Sequence, residues 1–107
     1  MPASSREVRE SPREQGGAER IAYQFDFASG IVTAPVSATV AVYDITTVRA
    51  DVTNTVMPTN SPTIATSFVT CSLLRDLTAG SSYRVECSAT GADGQRETLY
   101  LVVNATE

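Results

Sequence analysis

At 107 residues, with 42% hydrophobic and 19% charged positions, the chain has the composition of one folded domain around a single core, which excludes a second domain. Its apolar runs all fall short of the roughly 20 residues that a membrane helix needs. Eight basic residues against twelve acidic ones give a net charge of −4, the wrong sign for a surface that grips phosphates, so nucleic acid is excluded as an expected partner.

The charge divides at residue 20. Arg6, Arg9, Arg13 and Arg20 balance Glu7, Glu10, Glu14 and Glu19, so the first twenty residues are neutral and residues 21–107 carry 4 − 8 = −4. With Pro2, Pro12, Gly16 and Gly17 and only Val8 as a sizeable apolar residue, this stretch buries too little surface to offset the entropy of ordering it. It reads as an extended arm, disordered alone in water and ordered on a partner; a short helix over residues 5–10, capped by Ser4 or Ser5, is the other local reading. Alternating charges suit polar docking, in which Arg forks lie on a neighbour's carboxylates. Arg6, Glu7, Arg9, Glu10 and Arg13 are therefore the candidate partner-binding residues, and many copies on one assembly would add avidity. The competing reading is a solvated leader with no role. The stretch has neither the basic start nor the apolar segment of a secretory signal, so folding in a cytoplasm is expected.

From residue 21 the period is two. Ile21, Tyr23, Phe25 and Phe27 alternate with smaller or polar residues and predict a first strand. Val36, Ala38, Val40 and Val42 predict a second on the same rule. Val48, Ala50, Val52 and Val56 suggest a weaker third, interrupted by Asn54. Pro58 and Pro62 make residues 57–62 a loop or an edge, because each proline removes a ladder donor. A fourth strand is expected over residues 66–74, with Val69, Cys71 and Leu73 on one face. Tyr83, Val85, Cys87 and Ala89 line the next, Thr90-Gly-Ala-Asp-Gly-Gln95 supplies hairpin chemistry, and Leu99, Leu101 and Val103 line the last. Six or seven short strands separated by Gly and Pro turns, with helices of one turn at most, predict an all-β antiparallel sandwich over residues 21–107, preceded by the arm at 1–20.

Reactive chemistry is sparse. The chain has no His, which removes the imidazole base, the Ser-His and Cys-His nucleophile pairs and the His metal ligand. Asp44, Asp51, Asp76, Glu86 and Asp93 are scattered singly and read as solvated charges or turn residues, since calcium needs several oxygen ligands at tight spacing. No cofactor, metal site or catalytic residue is expected. Cys71 and Cys87 both fall on apolar registers; a bridge between facing sheets would add roughly 3 kcal/mol, but cytoplasmic folding favours two reduced core thiols.

The segment Leu77-Thr-Ala-Gly80-Ser-Ser-Tyr83, followed by alternating Val85, Cys87 and Ala89, resembles the corner of an immunoglobulin-like or fibronectin-type-III domain. The resemblance implies that Leu77, Gly80 and Tyr83 form a structural corner, with the tyrosine bonded back to the main chain just upstream. The chain departs from both families in having no Trp, and Val85 stands where an antibody-type domain carries a disulfide cysteine. With the charged stretch at residues 6–12, the whole is similar to the small β-sandwich accessory proteins of tailed bacteriophage particles. That likeness implies a non-enzymatic virion structural protein, made in the host cytoplasm. It would decorate the capsid, or else form part of the tail, neck or baseplate, attached through the arm to capsid or neck proteins, with a homo-oligomer within the particle as a further option. A recognition module binding a host glycan or protein through loops 57–61 and 90–95 is the alternative, although those loops lack aromatics.

Overall fold

The computed structural model describes residues 5–8, 11–28 and 32–106, with the main chain alone for residues 5–7. The first strands are β1 (Ser5–Glu7), β2 (Arg13–Gly16), β3 (Gln24–Asp26), β4 (Pro35–Asp44) and β5 (Ala50–Asp51). One helical turn, α1 (Thr53–Val56), precedes β6 (Thr63–Ala65), β7 (Phe68–Thr70), β8 (Ser82–Gly91) and β9 (Arg96–Thr106). The larger sheet runs β1-β9-β8-β4-β5, with β2 also on β9; the smaller runs β3-β7-β6. The protein is thus mostly β in two sheets.

Strict alternation makes the larger sheet. Tyr83, Val85, Cys87 and Ala89 of β8 are buried, as are Leu99, Leu101, Val103 and Ala105 of β9. The β8–β9 register sets Tyr83 opposite Val103, Val85 opposite Leu101 and Cys87 opposite Leu99, so one continuous apolar face results. On the other side of β8, Val42 faces Val85 and Val40 faces Cys87. The smaller sheet closes over this face with Phe25 and Val69, and Phe27, Leu74 and Met57 fill the interior. Each such side chain is worth roughly 1.5–3 kcal/mol when withdrawn from water.

Several expectations are corrected. Among the described residues nine strands form rather than six or seven, and the sheets are not wholly antiparallel, because β1 and β2 run parallel to β9. The described part of the stretch expected to stand apart as an arm before residue 20 therefore lies in the larger sheet, and Gln15 is fully buried. Composition argued against this because it counts apolar surface, whereas an edge strand joins through main-chain groups that every residue carries.

Val36 is 61% exposed, since a bulge between Pro35 and Ser37 shifts the register and puts Pro35 inward in its place. Leu74, not Leu73, is buried, because Leu74 exchanges two main-chain bonds with Ile21 beyond the end of β7. The weak third strand shrinks to two residues. There the Asp51 carboxylate accepts from both the N–H and the hydroxyl of Thr53, a local turn that competes with the ladder and starts α1.

Candidate interaction surface

The corner is built from its own sequence. Gly80 takes φ +86°, a left-handed conformation that suits glycine, and its N–H donates to the Ala105 carbonyl. The chain then returns as β8, and the buried Tyr83 hydroxyl accepts a 3.0 Å bond from the Thr78 N–H. Leu77 is buried beneath the turn. These three residues brace the fold; Tyr83 is 3% exposed and presents nothing to a partner.

The N-terminal edge is locked from inside. Gln15 Nε2 donates to the carbonyls of Leu74 at 2.6 Å and Glu19 at 3.0 Å, and its Oε1 accepts from the Tyr23 hydroxyl at 2.9 Å. The amide is thereby fully engaged in a buried site, as a polar group there must be. Burial raises the Tyr23 pKa, with the nearby Arg13 guanidinium opposing the rise. Gly17 completes the lock: a Cβ on it would meet the Leu77 carbonyl oxygen at 2.9 Å, so strand and corner touch main chain to main chain.

Among the expected partner-binding residues, Arg6 and Glu7 sit on β1 with their main chains opposite Leu99 and Tyr100. Arg9 and Glu10 lie outside the described residues. Arg13 is exposed on β2 and lines a hollow of about 220 Å³ together with Val8, Ile21, Phe25 and Leu101. Arg13 is thus placed beside an open hollow of mixed polar and apolar lining rather than on a solvated thread.

Sequence reasoning missed the outer face of the larger sheet. The Arg84 guanidinium lies 3.7 Å from the Tyr100 ring centre and Arg49 lies 4.1 Å from that of Tyr43, while Glu86 pairs with Arg84 at 2.6 Å and with Arg49 at 3.1 Å. The polar positions alternating with Tyr83, Val85 and Cys87 were the available signal. The cross-strand register, which sets Arg84 opposite Tyr43 and Glu86 opposite Tyr100, was not legible. The remaining scattered acids brace local turns. Asp44 accepts from the N–H and hydroxyl of Thr46, and these bonds lower its pKa; those from Thr53 lower that of Asp51. Asp93 accepts from the Gln95 N–H and Asp76 pairs with Arg75. Among the described residues no three His, Cys, Asp or Glu side chains stand together as a metal site.

Cys71 and Cys87 are free and buried. Burial pushes the Cys71 thiol up to about 12 and the Cys87 thiol higher still, with Cys71 itself adding to the rise. Neither is a thiolate at neutral pH, so neither is an activated nucleophile. A second hollow, of about 280 Å³, lies where loop 57–61 meets Leu73 and Arg75, and Leu73 is 46% exposed there.

Fold and surface together define a two-sheet, mostly β protein whose polar groups largely serve its own turns and edges. No protein-family model matches the chain. No curated protein matches it in sequence.

Proposed function

We propose that the chain is an immunoglobulin-like β-sandwich with a non-enzymatic, structural role on the particle of a tailed bacteriophage, most simply decoration of the capsid. The observation that carries the class is the strand order. β4, β8 and β9 with β5 at their side form one sheet, and β3, β7 and β6 the other. A tyrosine at the start of the penultimate strand is bonded back to the corner before it, an arrangement found in immunoglobulin-like domains. The phage assignment rests on the likeness carried by residues 77–83 and 6–12. Attachment runs through the N-terminal edge, where Arg13 stands exposed beside the hollow, with capsid or neck proteins as partners and the virion as location.

Placement in the tail, neck or baseplate is the second location. Binding to a host surface is the second role, and the hollow beside loop 57–61 supports it. Immunogold labelling of purified particles, with antibody against this chain, separates these readings. Label on heads supports decoration, label on tails moves the protein there, and unlabelled particles overturn the virion role.

A further inference from the structure

On one side of the sandwich the two sheets end at different places. The larger continues past β9 into β1 and β2, whereas the smaller stops at β3. Between them lies the 220 Å³ hollow, with Val8, Arg13 and Leu101 on one wall and Ile21 and Phe25 on the other.

Among the described residues, the main chain of β3 and of its flanking residues pairs on one side only. Ile21 exchanges two bonds with Leu74, the Cys71 N–H donates to Tyr23 O, and the Phe27 N–H donates to Ser67 O, while Phe25 is registered opposite Val69. The odd-numbered residues therefore turn their main-chain groups toward β7. In an antiparallel ladder the intervening residues turn theirs the other way, so the N–H and C=O groups of Ala22, Gln24 and Asp26 face outward. All three residues are exposed, and no strand among the described residues pairs with that edge. An unpaired edge of this kind is a template for another strand.

We propose that this edge seats an extended segment of a partner protein, which adds a strand beside β3 and turns alternate side chains into the hollow. The reading deepens, and rests on, the attachment proposed at this edge, and it holds for a head or a tail location alike. Main-chain pairing supplies affinity and the hollow supplies selectivity. Apolar side chains at every second position meet Val8 and Ile21, the partly exposed apolar residues of the lining, and a carboxylate meets Arg13, its charged residue. A second folded copy fits less well. Its own edge strand has its alternate apolar residues, Tyr23, Phe25 and Phe27, already buried in its core, so it has none to turn into the hollow.

The test uses the full chain and the synthetic peptide Ser-Val-Thr-Val-Thr-Val-Glu-Glu-NH2, with carboxyfluorescein on its N-terminus for fluorescence anisotropy and an acetyl group there for amide hydrogen exchange. Saturable binding is expected, with slowed exchange at Ala22, Gln24 and Asp26. Gln24→Pro removes an outward main-chain donor and no main-chain bond to β7, together with the exposed side-chain bond from Gln24 Nε2 to Thr70 Oγ1; measured against Gln24→Ala, which loses that side-chain bond alone, it should weaken binding about tenfold. Arg13→Glu should weaken it several-fold. A peptide N-methylated at alternate residues tests the pairing without altering the protein, and it should not bind. The proposal is overturned if binding fails to saturate at millimolar peptide or if the methylated peptide binds equally well. A dimer of the free chain that Gln24→Pro dissociates overturns it too, since a second copy is then the occupant.

Discussion

The Tyr23 hydroxyl donates a 2.9 Å hydrogen bond to Oε1 of Gln15, and through it a charged stretch with little apolar surface becomes part of a sandwich. Gln15 carries the same connection onward to the Leu74 carbonyl, which lies beyond the end of β7. One buried amide thus joins β2 of the larger sheet to Tyr23, just before β3, and to the loop after β7 of the smaller. This connection gives the N-terminal edge a fixed position, and with it the hollow beside Arg13.

Replacing Gln15 with Ala leaves the Tyr23 hydroxyl without its acceptor in a buried site and takes from the Leu74 carbonyl one of its two donors, the Ile21 N–H remaining. Stability should fall by about 2–3 kcal/mol, measured as a lower midpoint in urea. Deleting residues 1–19 should cost more, because β1 and β2 leave with the amide. A truncated protein as stable as the full chain would contradict the placement of this stretch.

Tyr83→Phe keeps the ring and removes the acceptor of the Thr78 N–H. The expected loss is about 1–2 kcal/mol, with faster hydrogen exchange at the Thr78 amide. Thermal unfolding of the variant at the wild-type midpoint would mean that the corner bond contributes nothing.

The two thiols fix a pH dependence. Burial raises both above their ordinary value of 9.0, Cys71 to about 12, so the folded chain holds protons that the unfolded chain releases. For such groups the contribution to stability is full below pH 9 and is lost as pH rises through the folded-state values. Unfolding free energy should decline from about pH 9 upward. The decline should be shallower in the Cys71→Ala, Cys87→Ala double variant, and both thiols should resist a thiol reagent at pH 8 until the protein is unfolded.

What could be read in advance follows from how each element is held. β8 and β9 were legible because side-chain alternation alone specifies a half-buried strand, and the corner was legible because Gly80 and Tyr83 act within one short stretch. Val36 and Leu73 were placed on the wrong side for local reasons, a bulge at one and a main-chain pairing with Ile21 at the other. The N-terminal strands were not legible. Their pairing with β9 uses main-chain groups that leave no mark in composition, and their anchor, Gln15, is a polar residue whose partners lie at Tyr23 and Leu74. The Arg and Tyr stacks on the outer sheet face likewise depend on cross-strand register, which no single strand reveals.

The most direct measurement is amide hydrogen exchange of the full chain, read at Val8 and Gly17. Their N–H groups donate to the carbonyls of Tyr100 and Thr106 on β9, so protection close to that of the β8–β9 ladder is expected if this segment is a strand of the sandwich. Exchange at the rate of an unstructured peptide at both sites, with β8 and β9 still protected, would contradict it.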